Sequence, residues 1–414
     1  MTRGDGAPAR LAGAREHVTL AGYTTLRLGG PARRLVEAVT DEQVVAAVRA
    51  ADDSGEPLLV LGGGSNLVVA DGGFPGTVVH IATSGVRLHG GGGPGGGGPG
   101  GGGPGGGGPG RGGPGTGRGR AGGNGQDVAE LTVAAGEDWD AVVAVCVGEG
   151  LAGLECLSGI PGRAGATPIQ NVGAYGQEVA ERIISVRVYD RERGAVADLA
   201  GADCGFGYRT SAFKRSLQAA PVPGEPAAVT GRFVVLGVRF LLARDRLSAP
   251  VRYAELARAL GVTEGGRAPL AAVRSAVLDL RRRKGMVLDP DDPDTRSVGS
   301  FFLNPVLDRG HFAAVERAAR AVVGPGVRVP GYPAGDGGVK VPAAWLIEQA
   351  GFRKGYPAAG AGARISSKHT LALVNPGGAT AASLLALARE IRDGVREVFG
   401  VELASEPVLV GAAL

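Results

Sequence analysis

The feature that restricts this chain most is the stretch 90–125, in which GGGGP occurs four times and RGGPGTGRGRAGGNG follows. Nothing in it can bury apolar area to offset the entropy of ordering the chain, so disorder is the expectation there. Any core must be built from the residues on either side. The stretch separates two strand-like runs, Val78–Ile81 and Leu131–Ala134. If those runs flank one loop, lengthening it from about four to about 36 residues costs only ~2 kcal/mol of closure entropy, so an insertion is tolerable.

The rest of the 414 residues is enough for two or three domains. Three arginines of the glycine-rich stretch, Arg111, Arg118 and Arg120, account for most of the net charge of +4, and the remainder is nearly balanced. Charge therefore makes no case for a nucleic-acid partner. Arg111-Gly-Gly is the form of an RNA-binding RGG segment, but three arginines are few for that role. Cys146, Cys156 and Cys204 are widely spaced and suit a reducing compartment as buried free thiols. The first residues lack the apolar core of a signal peptide, and no run reaches the roughly 18 apolar residues of a membrane span. A soluble, cytoplasmic protein is expected, with no membrane partner.

Residues 33–61 read as strand, helix, strand. Thr40 is placed to cap a helix carrying Val44, Val45, Val48 and Ala51, and Pro57–Leu61 is a buried strand. That strand runs into Gly62-Gly63-Gly64-Ser65-Asn66. Consecutive glycines let backbone N–H groups approach a diphosphate, with Ser65 and Asn66 adding donors. Taken alone, such a turn is more often structural. It is neither GxGxxG nor a P-loop, which disfavours a nicotinamide-binding Rossmann site. Further along, short strands (Ile184–Tyr189, Phe233–Leu242) mix with helices at 141–149, 268–283, 311–323 and 378–399. In the last helix Leu384, Leu385, Leu387, Ala388, Ile391, Val395 and Phe399 share one face, and Gly400 is a stop signal. A final strand spans Pro407–Val410. The pattern is α+β rather than a regular βαβ alternation.

The segment 153–178, GLECLSGIPGRAGATPIQNVGAYGQE, holds six glycines and two prolines in 26 residues, with the amides Gln170 and Asn171. It is too irregular for a helix or strand and too apolar for a solvated linker. It suits a backbone cradle for a flat polar ring with a pyrophosphate tail, or a buried loop packed on a sheet. Tyr208-Arg209, Arg283-Lys284, Ser300 and Glu406 are scattered polar residues beside apolar ones, each by itself an ordinary surface or turn residue. GxSxG is absent around Ser300, and the five histidines (17, 80, 89, 311 and 369) show no metal spacing, so no metal site is expected.

In order along the chain, TLRLGGPA from Thr25 to Ala32, GGGSN, GLECLSGIPG, PIQNVGAYGQE, YRTSAFK, GSFFLNP, AAWLIEQAGF and FGVELASEP resemble the MurB-type reductases, from about Thr24 to Gly411 apart from the insert. The resemblance implies an FAD-binding fold of the vanillyl-alcohol oxidase / PCMH type with a C-terminal substrate-binding α+β domain. It divides the chain into 16–82 (with the C-terminal strand 407–414), 83–285 containing the insert, and 286–406. NADPH would reduce a noncovalent FAD, which passes hydride to C3 of the enolpyruvyl ether of UDP-N-acetylglucosamine. Ser300 would supply the proton to C2, with Arg209 and Glu406 beside the enolpyruvyl carboxylate. The cofactor cradle would be Gly62, Gly63, Gly64, Ser65, Asn66, Gly159, Ile160, Pro161, Gly162, Gly165, Gln170, Asn171, Gly173, Ala174 and Tyr175. Val251-Arg-Tyr253 resembles the substrate-closing loop of the form with a tyrosine there. Tyr208, Tyr253, Lys284, Asn304 and Gln349 would hold the UDP-sugar, in a protein expected to be a monomer. Leu403-Ala-Ser-Glu406 departs from the LEPE that many members carry. A flavin oxidase of the same fold is the alternative, though many of those tether FAD through His or Cys, and neither cradle segment holds a histidine. A nucleotide-sugar binder without chemistry is disfavoured by the joint presence of Arg209, Ser300 and Glu406.

Overall fold

The computed structural model describes residues 13–89, 127–217, 229–357 and 360–414. The glycine-rich stretch 90–125 lies outside the described residues. The first sheet has four strands in the order Arg15–Thr19, Pro31–Ala38, Phe74–Ile81, Leu58–Leu61. Its first pair is antiparallel and the other two are parallel. A parallel pair needs a crossover, and the helix Asp41–Ser54 supplies it between Pro31–Ala38 and Leu58–Leu61. Thr40 caps that helix by accepting from the Gln43 N–H, Val44, Ala47, Val48 and Ala51 are buried, and Gly55 ends it in the left-handed region at φ 66°.

The second sheet is antiparallel. Its order is Ala195–Ala200, Ile183–Asp190, Phe233–Arg244, Val128–Ala134, Val86–His89, with Leu151–Ala152 on the far end of the long central strand. Trp139 opens the helix Trp139–Gly148, is 1% exposed, and stacks tilted on Phe240 with 6.0 Å between ring centroids. One core joins this sheet to the helix of the first, taking in Val36, Val44, Val48, Leu131, Val133 and Phe240.

The run opposite Leu131–Ala134 is not Val78–Ile81, which belongs to the first sheet. It is Val86–His89, which pairs Leu88 with Leu131 and His89 with Glu130. Four residues at a sheet edge, three of them exposed, leave too little apolar alternation for the strand to stand out in the sequence. The glycine-rich stretch thus begins where this hairpin's first strand ends.

The helices Arg309–Val322, Ala343–Gln349 and Ala381–Phe399 surround a separate core with Phe301 and Phe302. Every position of the apolar face expected on the last helix is buried. Thr380 and Ser383 form a capping box at its start, and Gly400 closes it at φ 68°. Leu26 and Leu28 pack into this core, Thr25 Oγ1 donates to Ser297 O at 2.6 Å, and Asn375 Nδ2 donates to Leu26 O at 2.9 Å. The segment following the first strand therefore ties the C-terminal region to the first sheet. The last strand, Val408–Val410, returns to pair in parallel with Leu67–Val69, just beyond Asn66.

Candidate active site

The two glycine-rich segments meet backbone to backbone. A Cβ on Gly63 would stand 2.8 Å from the Gly162 Cα, and one on Gly162 would stand 2.7 Å from Ser65 Oγ. Backbone this close excludes a side chain at Gly63, and at Gly162 the φ of 129° strains any residue with a Cβ, so the crossing favours glycine on both sides. A cavity opens on one side of it between the two sheets, with Gly62–Asn66, Gly165, Gln170 and Phe213 among its lining residues. A second opens toward the C-terminal region along Pro161, Gly173, Arg209, Ser300 and Glu406. Both are lined by Ser65, Asn66, Arg163, Ala166 and Gln170, so they form one continuous cleft. Its floor of bare backbone, where GGGSN and the second glycine-rich segment cross, suits a diphosphate tail.

The YRTSAFK segment grips the second glycine-rich segment at successive positions. Ser211 Oγ donates to Ile169 O at 2.6 Å, Lys214 Nζ to Gln170 Oε1 at 3.0 Å, and Arg209 to Asn171 O at 3.4 Å and Gly173 O at 2.8 Å. Asn171, Tyr175 and Arg209 all have positive φ, at 43°, 49° and 51°. Left-handed backbone costs an L-residue ~1–2 kcal/mol, and here the side-chain bonds offset it.

Glu406 arrives from the other end of the chain. Its N–H donates to Phe301 O at 2.8 Å, and Val408 N–H donates to Asn66 O at 3.0 Å. These bonds set Glu406 between the GSFF turn and the GGGSN loop. Its carboxylate lies 3.3 Å from Arg209 Nε, with 17% of the side chain exposed. Burial pushes its carboxyl above the usual carboxylate range, while Arg209 and Lys214 pull it back down. Ser300, half-buried after Gly299, lines the same cavity and has no hydrogen-bond partner among the described residues.

The structure thus brings Ser300, Arg209 and Glu406 to one wall. Of the cradle residues, Gly62, Gly63, Gly64, Ser65, Asn66, Ile160, Pro161, Gly162, Gly165, Gln170 and Gly173 line the cleft. Gly159, Asn171, Ala174 and Tyr175 do not line it. Asn171 is 1% exposed and its amide is spent on Glu178, Gly207 O and the Ala180 N–H. The Gly159 N–H is taken by Asp140 Oδ1 at 2.6 Å. Ala174 pairs with Gln177 in a small hairpin, and Tyr175 packs edge-on against Tyr253 at 5.3 Å, with Lys284 Nζ 5.8 Å from its ring.

The residues expected to hold a sugar nucleotide line neither cavity. Tyr208 bonds to Asn304 and lies 4.7 Å from Lys340 Nζ, while Asn304 Oδ1 accepts from the Ala343 N–H at 2.9 Å. On another side Lys284 pairs with Glu255 at 2.7 Å beside Tyr175 and Tyr253. Gln349 ends the helix Ala343–Gln349 and lines neither cavity.

Three basic residues escaped the sequence reading. Arg163 lines both cavities and is unpaired among the described residues. Arg281 lines the outer cavity, donates Nη2 to Met286 O at 2.8 Å, and has a buried Nε without a partner among the described residues. A signal for it existed. Val273, Val277 and Leu280 are the buried stripe of the helix Leu270–Arg283, and Arg281, four residues after Val277, shares that face. Lys214 is the third.

His369 lies close to Lys284, Lys354 and Arg281. Its Nδ1 accepts from the Leu371 N–H at 3.0 Å. Burial first, then Lys284, Lys354 and Arg281, push its imidazole down to about 4 from the ordinary 6.5. The unfolded chain takes up this proton near its ordinary value and the folded chain only near 4. Its contribution is therefore complete above the ordinary value and lost as the pH falls toward 4, by at most about 3 kcal/mol. His369→Gln is expected to flatten this acid limb, narrowing the gap between urea midpoints at about pH 7.5 and pH 5. An undiminished gap assigns the proton to another group.

A family model described as an FAD binding domain matches residues 32–89 and 124–200. A second, described as the C-terminal domain of UDP-N-acetylenolpyruvoylglucosamine reductase, matches residues 291–410. The chain is 51% identical over 398 residues to the protein of that name from Thermobifida fusca, covering 96% of this chain and 98% of that one. It is 53% identical to the one from Streptomyces coelicolor, covering 95% and 90%. Among solved structures, the Thermus caldophilus UDP-N-acetylenolpyruvylglucosamine reductase matches with a TM-score of 0.54 and 25% identity, over 96% of this chain and 99% of that one.

Proposed function

The chain belongs to the UDP-N-acetylenolpyruvoylglucosamine reductases, and from that premise we propose that Ser300, Arg209 and Glu406 carry the chemistry in a cleft that holds FAD across the glycine crossing. The protein is a flavin oxidoreductase that reduces enolpyruvyl-UDP-N-acetylglucosamine to UDP-N-acetylmuramate, in peptidoglycan precursor synthesis. The observation that carries the residue assignment is that three side chains from three distant segments converge beside the cradle.

Backbone N–H groups of Gly62–Ser65, with the Ser65 and Asn66 side chains, would be the donors for the FAD diphosphate, and Arg163 would be its counter-charge. Bound there and reduced by NADPH, FAD would supply the hydride for C3 of the enolpyruvyl group. Ser300 then gives its proton to C2. A serine suffices because the enolate-like carbon is a strong base, and among the described residues its hydroxyl is held by no group that would compete. Arg209 is fixed by Gly173 O, Asn171 O and Glu406, so it meets the substrate carboxylate already oriented. A second carboxylate beside that one is tolerable when it is protonated or screened. Burial raises the proton affinity of Glu406, and Arg209 provides the screening.

Tyr208, Asn304, Lys284, Tyr253 and Gln349 would hold the UDP-sugar, with Arg281, which lines the outer cavity, as a further cation. A cytoplasmic location fits three free, buried cysteines, and no helix among the described residues is long and apolar enough to cross a membrane. The purified protein is expected to be yellow, to bleach on adding NADPH, and to release its colour into the supernatant on acid precipitation. Among the described residues no histidine or cysteine lines the cleft. Colour retained in the pellet would point instead to a tethered flavin, as in the oxidases.

A further inference from the structure

The short helix Ala212–Leu217 carries a lysine where a packing residue would be expected. Lys214 is 7% exposed and lines neither cavity. A buried ammonium is costly, and an apolar residue of similar volume is often the more stable choice. Among the described residues its ammonium makes one hydrogen bond, to Gln170 Oε1 at 3.0 Å. Gln170 lines both cavities where they join.

We propose that Lys214 is a positioning residue that locks the Gln170 amide with its NH₂ group toward the cleft, making that point of the cavity a donor for an acceptor atom of the cofactor. An amide's two ends are almost equal in shape, so packing alone does not choose between them. An ammonium has donors only and accepts nothing. With it behind the amide, the oxygen must face Lys214 and the NH₂ must face away. The positive charge also polarises the amide and strengthens its outward N–H groups. Ser211 Oγ on Ile169 O and Arg209 on Asn171 O hold the backbone on either side, so the remaining freedom at Gln170 is the flip that Lys214 removes. Glu406 favours the charged form of Lys214, against burial and Arg209.

The inference rests on the cleft being the cofactor site, and the test separates the two. The readout is the rate at which holoenzyme releases FAD on dilution, followed as a rise in flavin fluorescence. Gln170→Leu and Lys214→Met are each expected to release FAD about tenfold faster, the scale of one well-placed hydrogen bond. The double variant should match Gln170→Leu within about threefold, because Lys214 acts only through Gln170. Lys214→Arg keeps a cationic donor and should stay within about threefold of wild type, and it provides the reading should Lys214→Met fold poorly. Release from Lys214→Met at the wild-type rate, an additive ~100-fold effect in the double variant, or Lys214→Arg as fast as Lys214→Met overturns the positioning role. If Gln170→Leu itself releases FAD at the wild-type rate, the cofactor does not touch this residue, and the inference falls with that reading.

Discussion

Ser300→Ala is expected to be reduced by NADPH at close to the wild-type rate while its turnover with the enolpyruvyl sugar falls by ~10²–10⁴, the usual scale for a positioned general acid. The separation follows from the order of events. The hydroxyl is needed only once hydride has reached the substrate, so the first half-reaction does not involve it. The substitution removes one half-buried oxygen that bonds to no described residue, so fold and flavin content should not change. Stopped-flow absorbance of the two half-reactions reads this directly. Loss of reduction by NADPH with unaltered reoxidation by substrate would show that Ser300 acts on the other half of the cycle.

Gly63→Val is expected to yield a folded but colourless protein, with FAD affinity lower by about 100-fold, equivalent to roughly 3 kcal/mol. The Cβ alone would come within 2.8 Å of the Gly162 Cα, and backbone cannot yield as the end of a flexible side chain can. One of the two crossing segments must move, and both carry cradle residues, so a small displacement is felt along the whole binding surface. The sheets on either side keep their cores, and circular dichroism should change little. Gly72→Ala is the control, since a Cβ there meets nothing within 4 Å, and it should stay yellow. A yellow Gly63→Val protein that titrates with FAD as wild type does would mean that the crossing is not where the cofactor lies.

What the sequence determined by itself is local and periodic. The Thr40 cap, the strand into Gly62 and the seven-residue apolar face of the last helix could be placed because each depends on neighbours within a few positions. The two glycine-rich segments announced a close approach of backbone. Eight motifs in a fixed order pointed to one family, which the relatives bear out. The motif letters did not say which side of each segment faces the cleft. Asn171 and Tyr175 sit one and five residues after Gln170, yet only Gln170 looks inward, because an irregular chain has no period from which facing can be counted. The glycines did not name their partners either, since Gly63 needs its bare Cα on account of Gly162. The edge strand Val86–His89 was too short and too exposed to register. Arg163 and Lys214 acquire roles only from what surrounds them, an unpaired guanidinium at the junction of two cavities and an ammonium behind a single amide. Tertiary structure alone decided that Arg209, Ser300 and Glu406 share a wall. The pairing of Val408–Val410 with Leu67–Val69 and the bond from Glu406 to Phe301 bring distant segments together. Such long-range pairings form only when the cores behind them close, which no local pattern encodes.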